Sequence, residues 1–162
     1  MGETIHPEVR VGHVHLKVAD IERALSFYRD VLGFEVMVRM GEDAAFLSAG
    51  GYHHHIGLNT WRSKGGTPPP PGSTGLYHVA FLYPTRRELA AAVQRVLDAG
   101  IRLTGASDHG VSEALYLRDP DDNGVELYCD RPPSAWPRNE DGSLVLHTRP
   151  LDLDNLMSTL DA

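Results

Sequence analysis

An internal repeat is the feature that most constrains the fold of this chain. Two segments share one pattern: they begin at Gly12 and Tyr77, an offset of 65 residues, and read GHVHLKVADIERALSFYRDVLGFEV and YHVAFLYPTRRELAAAVQRVLDAGIRL. In each, an alternating run that carries a histidine is followed by a polar break, an amphipathic stretch of helical period, a glycine and a second β-prone run. The repeat predicts two copies of one supersecondary unit.

Both predicted helices carry chemical signals at their ends. Asp20 suits the N-cap of the first helix, and Gly33 suits the left-handed position after it. Thr85 and Glu88 form a T-x-x-E capping box at the second helix, which ends at Gly100. Apolar residues at helical spacing predict the buried faces, namely Ala24, Leu25, Phe27, Tyr28, Val31 and Leu32, then Leu89, Ala92, Val93, Val96 and Leu97.

β-prone runs separated by turn residues follow each helix. They cover residues 34–38, 45–49 and 52–59 in the first half, and residues 101–104, 113–117 and 125–129 in the second. Each half therefore reads as βαβββ. The predicted fold class is α+β, with two tandem βαβββ modules that form a curled, mostly antiparallel sheet around a cavity.

The predicted domain organisation follows from the repeat. The first module covers residues 1–60 and the second covers residues 76–130. Residues 61–75, which include four consecutive prolines, read as a Pro/Gly-rich linker. Residues 131–162 form a C-terminal arm that we expect to pack on the domain surface or on a partner subunit.

Charge and cysteine content exclude several classes of protein. The net charge is −7, and no run of Lys or Arg forms a patch that could follow a phosphate backbone, so nucleic acid is a poor partner. No apolar run approaches the ~20 residues that cross a bilayer, so we expect no membrane partner. The N-terminal residues lack the apolar stretch of a signal peptide, and the single cysteine suits a reducing compartment, which predicts a cytoplasmic protein.

Strand alternation gives three polar side chains a common face. His13 lies opposite Val14, and His78 and Glu126 likewise point away from the apolar side of their strands. Two neutral imidazoles and one carboxylate are the ligand set of non-haem Fe(II) sites, and Mn, Ni or Zn can occupy the same set. Because no short motif links the three residues, spacing alone also allows three ordinary polar strand residues.

The repeat with these placed residues resembles the vicinal oxygen chelate superfamily, which includes glyoxalase I, extradiol ring-cleavage dioxygenases and bleomycin-binding proteins. The resemblance covers residues 9–131 and is carried by GHVHLKVADIERALSFYRDVLGF, LYHVAF and SEALYLRDPDDNGVELY. It is strongest toward short bacterial catechol 2,3-dioxygenase-like proteins. It implies a metal-containing cavity with His13, His78 and Glu126 as the metal ligands.

The same resemblance implies further site residues. Gly57 stands where glyoxalase I has a fourth ligand, a glutamate, which favours an open three-ligand iron site. His54 matches the acid–base histidine, although His53 and His55 adjoin it and register does not separate the three. His109 and Tyr116 match residues that donate hydrogen bonds to substrate oxygens. The remaining histidines outside these positions, His6, His15 and His147, are expected to be structural or surface residues.

The resemblance implies an Fe(II)-dependent extradiol dioxygenase that acts on a catechol-like aromatic and dioxygen, and we expect a homodimer. Two alternatives share the fold: a glyoxalase-like metal-dependent lyase or isomerase, and a non-enzymatic drug-binding resistance protein. Gly57 argues against the first, and the three retained ligands argue against the second. Fold membership alone does not separate these functions.

Overall fold

The computed structural model describes Gly2 and residues 4–161. The chain divides into two compact units, Met1–Thr67 and Pro68–Ala162, and the division falls inside the predicted linker. None of the helices that the described residues form has the length and apolar character of a bilayer span.

The first unit contains one helical segment and a four-stranded sheet of order β1-β4-β3-β2. β1 and β4 pair in parallel, whereas the pairs β4–β3 and β3–β2 are antiparallel. The elements are β1 (Val14–Lys17), α1 (Ile21–Leu25) with a π-helical continuation (Ser26–Val31), β2 (Glu35–Met40), β3 (Ala44–Ser48) and β4 (Ile56–Asn59).

Local chemistry explains where α1 begins and ends. Asp20 adopts an extended backbone, and its Oδ1 accepts a hydrogen bond from the Arg23 N–H at 2.8 Å, as predicted for an N-cap. Gly33 ends the segment with φ of +87°, which a residue with a Cβ rarely adopts. In β1, Leu16 is buried while His15 and Lys17 are exposed, so the predicted alternation is confirmed.

The second unit has a five-stranded sheet of order β5-β8-β7-β6-β9. β5 and β8 are parallel and the other pairs are antiparallel, so the α+β class with mixed sheets is confirmed. The elements are β5 (Val79–Leu82), α2 (Arg86–Asp98), β6 (Gly105–Asp108), β7 (Ser112–Arg118), β8 (Gly124–Asp130), β9 (Arg149–Pro150) and α3 (Leu153–Met157), with single 3-10 turns at Pro133–Ala135 and Ser158–Leu160.

Three details of the sequence reading are wrong. No strand forms over residues 101–104, because the N–H of Ile101 still bonds the Val96 carbonyl at the end of α2, and β6 begins only at Gly105. The predicted strand over residues 52–59 begins at Ile56. Leu97 is 42% exposed at the edge of the helix stripe, whereas Ala90 is buried.

The C-terminal arm belongs to the second unit. β9 extends the sheet by pairing with β6, and α3 packs against α2. The side chain of Leu156 is fully buried, and the Arg86 guanidinium donates to Asn155 Oδ1 at 2.9 Å. The arm is therefore docked by apolar packing and by a polar contact between helices.

We expect Leu156→Ala to lower the free energy of unfolding by about 2–5 kcal/mol, because it removes a fully buried side chain. Urea unfolding followed by circular dichroism measures the change. Leu144→Ala is the matched control, since Leu144 is 45% exposed in the same arm and its loss should cost no more than about 0.5 kcal/mol. Equal midpoints for the two variants would show that α3 contributes nothing to stability.

Candidate active site

A cavity of about 510 Å³ opens in the second unit. The strands β7 and β8, the turn after β6 and the arm segment before β9 all contribute to its lining. The lining residues are His78, His109, Val111, Ser112, Tyr116, Glu126, Leu146, His147 and Thr148.

His78 and Glu126 meet across the parallel pair β5–β8. The register pairs Val79 with Val125, so His78 precedes β5 beside the start of β8, where Glu126 stands. His78 Nε2 and Glu126 Oε2 are 2.8 Å apart. Glu126 is only 9% exposed, so its carboxylate is held near this imidazole with little solvent around it.

Tyr116 joins Glu126 from the neighbouring strand, because the β7–β8 register places these two residues opposite each other. The Tyr116 hydroxyl lies 2.6 Å from His109 Nε2 and 3.4 Å from Glu126 Oε1. Burial, with the nearby negative charge of Glu126, raises the pKa of Tyr116 to about 12. Tyr116 therefore stays protonated at neutral pH and can act as a hydrogen-bond donor.

The arm fixes the ring of His109. His109 Nδ1 lies 2.9 Å from the carbonyl oxygen of His147, and a carbonyl can only accept, so Nδ1 carries a hydrogen. In a neutral ring the other nitrogen, Nε2, then accepts the Tyr116 hydroxyl proton. This assignment follows from the hydrogen-bond network.

The turn that carries His109 is held by Asp108. One carboxylate oxygen accepts from the Gly110 N–H at 2.7 Å, and the other accepts from Arg131 at 2.7 Å. Burial alone would raise the pKa of Asp108, but the Gly110 and Arg131 hydrogen bonds and the charge of Arg131 lower it. Gly110 itself has a φ of +78°, the left-handed region that favours glycine in such a turn.

We expect Asp108→Asn to cost about 1–3 kcal/mol of unfolding free energy at pH 7, because it leaves Arg131 without one of its charged partners. A carboxyl with a lowered folded-state pKa stabilises the fold above its unfolded-state pKa of ~4, and that stabilisation is lost as the pH falls through the folded-state value. Urea unfolding at pH 7, 5 and 3.5 should therefore show wild type and variant converging at the lowest pH. A constant gap would refute the ionic origin.

In the first unit, His13 lies beside His54. Their ring centroids are 4.4 Å apart, and Phe46 contacts the His54 ring at 5.2 Å. Burial and the neighbouring imidazoles, with His13 first among them, lower the pKa of His54. His54 is therefore neutral at pH 7 and able to accept a proton.

The neighbours of His54 have different surroundings. His55 Nδ1 lies 3.1 Å from Ser48 Oγ and 3.3 Å from the Ala49 backbone nitrogen, so its ring is used to hold the loop. His53 is exposed and stacks on Tyr52 with centroids 4.0 Å apart. Of the three consecutive histidines, His54 is thus the one described in ring contact with His13.

A sequence model of the Glyoxalase/Bleomycin resistance protein/Dioxygenase superfamily matches residues 10–127. The chain belongs to this superfamily. The resemblance seen in the sequence is therefore confirmed over nearly the whole of the repeat.

Two superfamily members with similar sequences are dioxygenases by name. The catechol-2,3-dioxygenase of Bacillus subtilis (strain 168) is 40% identical over 154 residues, which are 95% of this chain and 53% of that protein. Biphenyl-2,3-diol 1,2-dioxygenase 3 of Rhodococcus globerulus is 35% identical over 75% of this chain and 63% of its own length. The chain thus spans between half and two thirds of the length of these relatives.

The fold is also that of solved superfamily structures. A glyoxalase/dioxygenase from Nostoc punctiforme superposes with a TM-score of 0.64, over 82% of this chain and 99% of that one, at 21% identity. At this identity the likeness concerns the fold.

Gly57, which the resemblance places where glyoxalase I has a fourth ligand, has little space for any side chain. β1 and β4 pair His15 with Gly57, and a Cβ built on Gly57 would lie 2.9 Å from His15 Cγ. The His15 ring is held there by a 2.9 Å contact between its Nε2 and Asn59 Nδ2. A fourth carboxylate ligand at residue 57 would therefore collide with His15.

Donor chemistry in the second unit suits a metal ion. His78 and Glu126 offer an imidazole nitrogen and a carboxylate oxygen 2.8 Å apart in the cavity, which are ligand types that Fe(II) accepts. His13, the third predicted ligand, belongs to the first unit. In the part of the chain that the structure describes, no three His, Cys, Asp or Glu side chains are grouped to hold a metal.

Among the titratable residues that line this superfamily member's cavity, sequence reasoning missed one. His147, predicted to be structural or on the surface, lines the cavity, and its Nδ1 lies 3.1 Å from the Asp108 carbonyl oxygen. The reason is tertiary: the pairing of β9 with β6 brings the arm to the turn after β6. The two-residue strand β9 carries no periodic signal that could have indicated this.

Proposed function

We propose that the protein is an Fe(II)-dependent extradiol dioxygenase that cleaves the ring of a catechol-like aromatic. The observation that carries the proposal is the group of four side chains in one cavity, in which the His78–Glu126 pair adjoins the Tyr116–His109 pair. A donor pair for a metal next to a preorganised proton donor is what cleavage of a catechol requires. The similarity to two dioxygenases supports the reaction class.

In this proposal His13, His78 and Glu126 hold the iron. Bound Fe(II) would bring the diol and dioxygen together and let electrons pass from the ring to oxygen. Two histidines with one carboxylate favour iron among the metals that this donor set accepts, although Mn, Ni or Zn binds the same ligand types.

The neighbouring side chains would orient the diol and move protons. Tyr116, which stays protonated at neutral pH and directs its hydroxyl hydrogen to His109 Nε2 in the free protein, would turn that hydrogen toward a substrate oxygen when the diol binds. His54 is the proposed base that takes a catechol proton, since a neutral imidazole can accept a proton and later return it.

The test is an oxygen-uptake assay on protein purified without oxygen and loaded with Fe(II). Elemental analysis should find one iron per chain, and catechol should give oxygen uptake with a yellow ring-opened product. His78→Ala should lose both the iron and the uptake. Iron at unit stoichiometry without uptake on a panel of catechols would overturn the reaction class, and failure to bind any metal would overturn the ligand assignment.

A further inference from the structure

Hydrogen bonds to the backbone N–H and to the backbone carbonyl of His147 hold this residue in the cavity. Its N–H bonds the His109 carbonyl at 3.3 Å, and its own carbonyl accepts from His109 Nδ1. The ring packs against Gly110, where an added Cβ would lie 2.7 Å from His147 Nε2. This histidine is therefore a fixed part of the cavity lining.

The hydrogen bond of the His147 ring determines what its other nitrogen can do. Nδ1 faces the Asp108 carbonyl oxygen at 3.1 Å, and this oxygen can only accept, so Nδ1 carries the hydrogen. In the neutral ring Nε2 then has a lone pair and no hydrogen. Among the residues that the structure describes, no hydrogen-bond partner for this Nε2 is found.

The charged residues of the cavity lining are a second observation that bears on the substrate. Of the nine described residues that line the cavity, none is Lys or Arg, and Glu126 is the only acid. The nearby guanidinium of Arg131 is engaged by Asp108 and Glu113. In the proposed iron-loaded protein the metal would offset the charge of Glu126, so a carboxylate on the substrate would meet the lone pair of His147 with no lining Lys or Arg to pair with it.

We propose that His147 is a specificity-determining residue, which accepts a hydrogen bond from an uncharged donor substituent on the aromatic ring and disfavours a carboxylate at that place. The proposal rests on the proposed dioxygenase function and adds the substrate class. Leu146 and Val111 supply the apolar surface beside this acceptor. The expected substrate is a catechol with a neutral hydroxyl-bearing or alkyl substituent.

The test compares three catechols that differ only at ring position 4: 3,4-dihydroxybenzyl alcohol, 4-methylcatechol and 3,4-dihydroxybenzoate. We expect kcat/KM to fall in that order, with the alcohol at least ~10-fold above the carboxylate, because the carboxylate has no hydrogen to donate to the imidazole lone pair. Anaerobic calorimetry with the same three compounds should give the same order of affinity without turnover.

Variants separate the role of His147 from a structural one. His147→Leu should remove the advantage of the alcohol over 4-methylcatechol, measured within that variant as the ratio of kcat/KM for the two compounds. Thr148→Arg adds a cation to the lining next to His147 and leaves His147 in place. This variant should have a higher kcat/KM for 3,4-dihydroxybenzoate. Leu144→Arg adds the same charge outside the lining and should change nothing.

The outcomes are distinguishable. If the iron-loaded protein consumes no catechol, the proposed function fails, and calorimetry still decides the order of affinities. If 3,4-dihydroxybenzoate binds or reacts as well as the alcohol, the specificity inference fails while the dioxygenase assignment stands. An unchanged alcohol preference in a folded His147→Leu variant would also overturn it.

Discussion

Replacing Glu126 by alanine is expected to raise the dissociation constant for Fe(II) by at least ~100-fold and to abolish oxygen uptake with catechol. Even residues that only support metal ligands cost about 10–100-fold when they are lost, and Glu126 is proposed as a ligand itself. Among the described residues that line the cavity it is also the one carboxylate, 2.8 Å from His78. Equilibrium dialysis with elemental analysis gives the affinity, and an oxygen electrode gives the rate.

Glu113→Ala is the matched control for this experiment. Glu113 is another buried glutamate of the second unit, but it lies outside the cavity lining and pairs with Arg86 at 2.6 Å and Arg131 at 3.3 Å. Its loss should cost about 1–3 kcal/mol of stability, because two partly exposed guanidinium groups lose a buried partner, while iron binding to the folded protein persists. If both variants lose iron equally, the effect on iron is general and Glu126 is not a ligand.

Gly124→Ala is expected to be the most damaging small substitution in the second unit. A Cβ on Gly124 would lie 2.1 Å from the Tyr77 carbonyl oxygen and 3.0 Å from His78 Cβ. Because the first obstacle is backbone, β8 must move away from β5, at a cost of about 3 kcal/mol or more. The same displacement would separate His78 from Glu126, so iron affinity should fall as well. Urea unfolding and equilibrium dialysis measure the two effects.

Gly12→Ala serves as the comparison for Gly124→Ala. The nearest atom to a Cβ at Gly12 is the Tyr52 hydroxyl oxygen at 3.7 Å, an ordinary contact, so stability should change by no more than about 0.5 kcal/mol. An unperturbed unfolding midpoint for Gly124→Ala would show that the β5–β8 edge can absorb a methyl group. The close approach at His78 would then have no structural importance.

Local chemistry made much of this fold predictable. The caps at Asp20 and Thr85 are where the sequence places them, because each side chain accepts from a backbone N–H three residues later. Alternation in β1 and β8 also placed residues on the correct faces, since the side-chain period of a strand is two. Such signals depend on neighbours in the chain and need no tertiary information.

Features that depend on distant partners could not be derived in this way. β6 starts at Gly105 because Tyr116 fixes the register, and nothing in residues 101–104 reveals it. The hydrogen bond from His109 to the His147 carbonyl likewise joins residues 38 positions apart. The candidate metal ligands could be predicted from the faces of their strands. The cavity residues that the arm supplies, such as His147, depend instead on how the arm packs against β6.

The dependence of His109 on the His147 carbonyl has a consequence for how the protein is made. Ribosomes add about 5–20 residues per second, so the 38 positions between the two residues take roughly 2–8 seconds to appear. Tyr116 and Glu126 are added within that interval, but the imidazole of His109 has no carbonyl to fix its tautomer until its end. On a growing chain the proton-handling pair is therefore completed after the candidate metal donors of the second unit, His78 and Glu126.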